Sequence, residues 1–140
     1  METRGYIAPE TEAAVREQYA KLAPAAKTVT KEIAEAGTTD LAAYREFTTD
    51  AVYETAQQAL FASLLQVQVG DAEEFETVRA DHDDHEVVFA GTETVGGRAW
   101  HRVRPRETIV AVSFEAKSDA AVASLQRQAF GRFYRPVIDP

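Results

Sequence analysis

Arginine side chains flank the only tryptophan of this chain in a short segment with the alternating pattern of a β-strand. Every second side chain of a strand lies on the same face of the sheet, so residues 98, 100, 102 and 104 share one face. Guanidinium groups bind phosphates and other anions, and an aromatic ring between them can stack on a base. The pattern predicts an anion or single-stranded nucleic-acid site formed by Arg98, Trp100, Arg102, Arg104 and Arg106.

Two other roles for these arginines remain open. They could form ion pairs with the acidic segment 71–86 or with another subunit, or they could be solvated. Molar salt weakens any binding that depends on phosphate neutralisation alone. Ion pairing within or between subunits is therefore the favoured interpretation.

The turn after this strand decides which of its faces is buried. A two-residue turn at residues 105–106 pairs Val103 with Thr108 and leaves the Trp100 face exposed. A three-residue turn pairs Arg104 with Thr108 and buries Trp100 beneath the arginine side chains. Only the first arrangement would offer an aromatic surface for stacking.

A second cluster combines histidine and carboxylate side chains. Histidines three residues apart among carboxylates could bind a divalent metal ion and support a metal-dependent enzyme. The candidate ligands are Asp81, His82, Asp84 and His85. A metal site needs several converging ligands that neighbouring groups hold in place. A flexible acidic turn does not impose that convergence, so a solvated loop is the favoured interpretation.

A third cluster lies near the carboxyl end of the chain. Basic side chains stabilise the last turn of a helix, and the neighbouring Phe130 and Phe133 are predicted to anchor that helix in the core. The candidate contact surface for a protein partner consists of Arg127, Arg132 and Arg135.

Recognisable catalytic patterns are missing from the sequence. We find no Ser–His–Asp set, phosphate-binding loop or nucleotide-binding fingerprint. The chain has no cysteine, which excludes thiol nucleophiles, disulfides and thiolate metal sites. We therefore expect a protein that is not an enzyme and has no cofactor.

Charge is distributed unevenly along the 140 residues, whose net charge is −8. Residues 1–97 have a net charge of −12, whereas residues 98–140 have a net charge of +4. This asymmetry predicts an electrostatic partner inside or outside the molecule. The acidic, lysine-poor and alanine-rich composition is typical of proteins in molar salt, where charges are screened beyond about 3 Å.

Hydrophobic periodicity predicts a long helical hairpin over residues 8–68. Apolar residues from Val15 to Ile33 recur at alternating spacings of four and three, and Pro24 is expected to kink this first helix. Thr38, Thr39 and Asp40 are N-cap candidates for the second helix. Its stretch 59–65 is apolar on nearly every side, which favours self-association, so we expect a homodimer.

The rest of the chain predicts a small sheet and one more helix. An acidic connector (71–86) leads into a three-stranded antiparallel β-meander (85–117) with a hairpin turn at Gly96-Gly97. A closing helix (118–135) then packs on the sheet. The expected fold is a single α+β domain of residues 1–140.

Three segments resemble a known family. They are METRG at residues 1–5, ALFASLL at residues 59–65 and RQAFGRFYR at residues 127–135. The chain is similar over its whole length to a small conserved family of halophilic archaeal proteins, known as a domain of unknown function. The resemblance implies a halophilic source and provides no activity, ligand or catalytic residue.

The sequence therefore predicts a non-enzymatic protein-interaction module adapted to high salt. It would be homodimeric and would contact a protein partner through the basic strand or the closing helix. The alternatives are nucleic-acid or anion binding at residues 98–106, and a metal-dependent enzyme at residues 81–86. The chain has neither a membrane-spanning apolar run nor the pattern of a signal peptide at its start, so a cytoplasmic location is expected.

Overall fold

Helices cover both faces of a five-stranded mixed sheet in this α+β chain, whose computed structural model describes residues 1–37 and 40–140. In chain order the elements are β1 (Glu2–Arg4), α1 (Glu12–Ala20), α2 (Ala23–Gly37), α3 (Leu41–Phe47), α4 (Asp50–Leu64), β2 (Val67–Asp71), α5 (Ala72–Asp81), β3 (Glu86–Phe89), β4 (Gly97–Val103), a 3₁₀ turn (Arg104–Arg106), β5 (Thr108–Phe114), α6 (Ser118–Ala129), a π-helical segment (Phe130–Tyr134) and α7 (Arg135–Ile138). The strand order is β1-β2-β4-β5-β3, in which β3 and β5 are parallel and the other neighbours are antiparallel.

Four helices replace the two long helices that the periodicity predicted. The chain leaves α1 at Ala20 and begins α2 at Ala23. Pro24 therefore lies in the first turn of α2, where its missing N–H is not needed, and does not kink a continuous helix. A second break separates α3 from α4, because the Thr49 hydroxyl accepts a hydrogen bond from the Val52 N–H at 3.4 Å and caps a new helix.

The N-cap expected for α3 is partly described. Asp40 occupies this position, and its carboxylate accepts a hydrogen bond from the Ala43 N–H at 2.8 Å. The other two candidates, Thr38 and Thr39, lie outside the described residues.

The buried face of α2 differs from the predicted one. Ala26, Thr30 and Ala34 face the core, whereas Val29 and Ile33 are 41% and 55% exposed. Ala26 is buried as predicted despite the interruption at residues 21–22, and the difference begins after it, where α2 buries every fourth residue. The small buried side chains let α2 pack closely on α4, and two large aliphatic side chains remain at the surface.

The predicted second helix ends early, at Leu64, and its last residues form strand β2. The apolar stretch 59–65 packs largely within the chain itself, since α4 lies between α2 and α6, while Ala59 and Ser63 stay exposed. Phe61 and Leu65 are fully buried there. The apolar character of this stretch therefore does not require a second subunit.

The predicted three-stranded antiparallel meander is wrong in one of its two pairings. The β4–β5 hairpin is present, but β3 pairs in parallel with the far edge of β5, with Val88 opposite Val110. The Gly96-Gly97 turn therefore does not connect two neighbouring strands. The physical reason is α5, which crosses one face of the sheet and returns the chain at the free edge of β5.

Most of the predicted acidic connector is the helix α5. Asp71 and Glu74 form a capping box, in which each carboxylate accepts a hydrogen bond from the backbone N–H of the other residue, at 2.7 and 3.1 Å. Phe75 projects from this helix and is fully buried against the sheet. The charged residues of α5 are on its solvent side, so the helix covers the sheet with a single apolar stripe.

The sheet consequently has a hydrophobic core on each face. The larger core combines β-strand residues with α1, α4 and α6. The smaller core lies under α5 and consists of Phe75, Trp100, Ile109 and Ala111.

Candidate functional site

The register of the β4–β5 hairpin decides where Trp100 lies. Val103 pairs with Thr108, as expected for the shorter of the two predicted turns. That arrangement was expected to expose Trp100, yet its ring is only 2% exposed and lies 5.3 Å from the Phe75 ring. The expectation of exposure is wrong because α5 covers this face. Trp100 therefore cannot stack on a base unless α5 moves.

Three of the arginines of residues 98–106, one on β4 and two in the 3₁₀ turn after it, form ion pairs with carboxylates outside segment 71–86. These pairs are Arg98–Glu93 at 3.6 Å, Arg104–Glu10 at 2.8 Å and Arg106–Glu12 at 3.2 Å. Arg98 is also buried and donates to the carbonyls of Gly96 and Gly97. The positive charge of residues 98–106 is thus partly neutralised inside the chain, and the two arginines of the 3₁₀ turn pair with carboxylates just before and at the start of α1.

Arg102 has a different environment, because a histidine holds it. Its Nε–H donates to His85 Nε2 at 3.0 Å, and the His85 Nδ1–H donates to the Asp84 carboxylate at 2.8 Å. Only the neutral tautomer with its proton on Nδ1 makes both bonds. The hydrogen bond from His85 lowers the pKa of the Asp84 carboxyl. Both Nη groups of Arg102 have no acceptor within residues 1–37 and 40–140.

The candidate metal ligands do not converge. Within the described residues, no group of three or more histidine and carboxylate side chains is placed to hold a metal ion, and Asp81 does not join the histidines. The His82 and His85 rings are in edge contact at 5.1 Å. Since His85 is bonded through both nitrogens and His82 Nδ1 donates to the Val78 carbonyl at 2.9 Å, these rings serve local structure.

A cavity of about 380 Å³ opens where strands β2 and β4 separate. The ladder between them ends at the pair Gln68–Trp100, while β4 continues to Val103. We call this cavity the β2–β4 cleft, and its walls include Gln66, Gln68, Val78, His82, Trp100 and Arg102. Trp100 and the carboxyl-terminal part of α5 therefore both border this cleft.

A buried polar pair lies on the opposite face of β4. The His101 Nδ1–H donates to the Gln66 carbonyl at 2.6 Å, and His101 Nε2 accepts from the Tyr134 hydroxyl at 2.5 Å. Burial lowers the pKa of His101 from 6.5 to about 4, and burial likewise raises the pKa of Tyr134, so both groups stay neutral. Sequence reasoning did not single out this pair, because nothing local connects residues that are 33 positions apart.

A second cavity, of about 340 Å³, lies between α4 and α6. We call it the α4–α6 groove, and its lining includes Ala59, Ala62, Ala123, Arg127, Phe130 and Arg135. Small side chains form its sides, and the Arg135 guanidinium lies 5.2 Å from the centre of the Phe130 ring. The groove is therefore apolar inside and positively charged at its rim.

Gln126 fixes the two helices that form the groove. Its buried amide nitrogen donates to the carbonyls of Ser63 and Leu65, at 3.1 and 3.0 Å. These carbonyls lie at the carboxyl end of α4, where carbonyl groups have no N–H donor within the helix. The spacing of α4 and α6 is therefore set by hydrogen bonds as well as by packing.

The structure divides the three carboxyl-terminal arginines of the predicted partner surface. Arg127 and Arg135 flank the α4–α6 groove, whereas Arg132 is exposed elsewhere, beside the Phe133 ring. Arg132 lies within the π-helical segment, and Arg127 and Arg135 lie on either side of it. The wider turn of this segment changes the side of the helix on which the following residues lie. In the described part of the chain none of the three forms an ion pair with a carboxylate.

Comparison with known proteins identifies one family model, described as a family of unknown function (DUF5809), which matches residues 6–135. No curated protein and no solved structure matches the chain. Among the described helices, none is long and apolar enough to cross a membrane.

Proposed function

We propose that this chain, which belongs to that family of unknown function, is a non-enzymatic cytosolic interaction module. It binds an acidic amphipathic helix of a partner protein in the α4–α6 groove. The observation that carries the proposal is the pair of arginines, Arg127 and Arg135, at the rim of an apolar groove. Neither arginine has a carboxylate partner in the described chain.

The shape of the groove favours a helical partner. Two helices form its walls, and small residues such as Ala59 and Ala62 leave space for large apolar side chains of a partner. A helix that places an apolar face in a hydrophobic groove is a recurrent mode of peptide recognition. The volume of about 340 Å³ holds a few anchoring side chains, with the rest of the partner outside.

The charge at the rim favours an acidic partner. Guanidinium groups pair with carboxylates in a planar, bidentate geometry, and complementary charge selects partners and orients them. At molar salt the charges act only over contact distances. The apolar interior would then provide most of the affinity, and the arginines most of the selectivity.

Charge reversal at the rim tests the proposal. The probe is a fluorescent synthetic helix with leucines on one face and glutamates on the other, and binding is followed by anisotropy. We expect the double variant Arg127→Glu/Arg135→Glu to bind the probe about tenfold or more weakly, because two attractive contacts become repulsive. Ala59→Trp, which fills the groove from its exposed side, should also abolish saturable binding.

Arg132→Glu is the control, to be compared with each single variant, Arg127→Glu or Arg135→Glu, since it makes the same single charge reversal outside the groove. Its affinity for the probe should stay within about twofold of the parent, because a distant exposed charge acts weakly. An equal loss in the control, or no saturable binding by the parent chain, would refute the groove as the binding site.

We further propose that the chain is a homodimer adapted to high salt. The support is the exposed apolar strip on α2 and α3, where Val29, Ile33 and Leu41 lie at the surface. Salt does not screen apolar contacts, so an exposed apolar surface can mediate association in concentrated salt. The net charge of −8 supports the salt adaptation, because screening relieves repulsion among the carboxylates.

Light scattering in about 2 M KCl, where screening is near its 3 Å limit, tests this quaternary state. We expect a mass twice that of the 15.4 kDa chain. Ile33→Glu should give the monomer mass, since it places a charge in the apolar strip. Val95→Glu makes the same kind of change at a residue that is 92% exposed elsewhere, and it should leave the dimer intact. A monomeric parent chain at this salt concentration would exclude the dimer.

A further inference from the structure

We propose that the β2–β4 cleft is a binding site for a small organic carboxylate, held between the indole N–H of Trp100 and the guanidinium group of Arg102. This site is distinct from the α4–α6 groove and does not depend on it.

The indole nitrogen of Trp100 provides the first donor. Trp100 is 2% exposed, and its N–H has no acceptor within the described residues. All fully buried polar side-chain atoms in the described residues have a hydrogen-bond partner. The indole nitrogen must therefore keep its small accessible area, and the cavity that Trp100 lines is the β2–β4 cleft. We therefore assign this otherwise buried N–H donor to the cleft.

Arg102 provides the charge. The two hydrogen bonds that link Asp84, His85 and Arg102 use only the Nε–H of the arginine and hold its guanidinium plane in place. The Nη groups remain as donors at the wall of the same cleft. A guanidinium group whose plane is already fixed loses little freedom when it binds a carboxylate with two parallel hydrogen bonds.

The other walls limit the size and polarity of the ligand. Ala8 and Val78 contribute apolar surface. Gln68 uses its carbonyl oxygen to accept from Thr3 at 2.8 Å, and its amide N–H groups have no acceptor among the described residues. A volume of about 380 Å³ lies at the small end of ligand pockets. Met1 and Arg104 also line the cleft, but their charged groups pair with Glu74 and Glu10. Among the described residues, Arg102 is therefore the cation of the cleft without a carboxylate partner, and with a neutral donor beside it this matches a monoanion. The apolar walls favour an organic body over an inorganic ion.

The only tryptophan of the chain makes binding directly observable. The probe is benzoate, titrated against Trp100 fluorescence and by calorimetry in about 2 M KCl, the salt concentration of the light-scattering experiment, where charges act over about 3 Å. We expect a saturable change in emission. Arg102→Gln should weaken binding about tenfold or more, because it removes a charge-assisted pair of hydrogen bonds. Arg102→Lys, which keeps the charge without the planar fork, should lie between the two.

Arg106→Gln is the matched control, since Arg106 is an exposed arginine of the same hairpin that does not line the cleft. Its affinity for benzoate should equal that of the parent. Trp100→Phe keeps a ring but removes the N–H, and calorimetry should show weaker benzoate binding by a protein whose circular dichroism is unchanged. Three results would each overturn the proposal: no saturable response of the parent, an unchanged affinity in Arg102→Gln, or tighter binding of inorganic phosphate than of benzoate.

Discussion

Replacement of Trp100 by alanine should lower the free energy of unfolding by about 3–5 kcal/mol, the usual cost of removing a large buried aromatic side chain. The ring is the largest member of the small core under α5 and is 2% exposed. Its loss leaves a cavity between the sheet and Phe75, a fully buried residue whose ring contacts the Trp100 ring. Urea denaturation followed by far-ultraviolet circular dichroism measures the effect, because the variant has no tryptophan fluorescence.

The same experiment separates a core tryptophan from a surface stacking residue. Tyr6→Ala removes an aromatic ring that is 85% exposed, so its stability should change by no more than about 0.5 kcal/mol. A similarly small effect for Trp100→Ala would mean that α5 does not cover the sheet in solution. The ring would then be available for nucleic acid after all.

Acidification should destabilise the protein through His101. The pKa of this residue is about 4 in the folded chain because the imidazole is buried, and 6.5 is its ordinary value in an unfolded chain. The folded pKa is the lower one, so the stabilisation is complete above pH 6.5 and is lost as the pH falls towards 4. At about 1.4 kcal/mol for each unit of pKa difference, the loss is about 3 kcal/mol.

The variant His101→Gln isolates this contribution. A glutamine side chain can donate to the Gln66 carbonyl and accept from Tyr134, but it does not titrate. Urea denaturation between pH 7 and pH 4 should give a steeper loss of stability in the parent chain than in the variant. The two proteins differ in no other titratable group, so the comparison isolates His101. Parallel pH profiles would contradict the buried neutral histidine.

Local patterns in the sequence predicted elements whose signal lies within a few residues. These patterns predicted the β4–β5 hairpin, with two registers left open for it, and the closing helix α6. The strand β2 could also have been recognised, since Gln66-Val67-Gln68-Val69 alternates in polarity. The apolar run immediately before it suggested a continuing helix and concealed this signal.

The remaining errors concern contacts between distant segments. Nothing within residues 86–89 distinguishes a parallel neighbour from an antiparallel one, because that choice depends on where α5 delivers the chain. The burial of Trp100 was missed for the same reason, since the cover of its face comes from residues 72–81. The candidate sites depend on such distant contacts as well. Arg102 is held by His85. The α4–α6 groove needs two helices that contact each other but are separated in the sequence by four of the five strands.

The two edges of the sheet bear on whether the folded protein stays dispersed in concentrated salt. An exposed edge strand presents unpaired N–H and C=O groups to other molecules, and many proteins protect such edges with charged side chains. At molar salt this protection acts over only about 3 Å. Here β1 has three residues and β3 has four, so either edge offers few positions for a foreign strand to pair with. Short edges resist strand-to-strand aggregation by geometry, which salt does not screen.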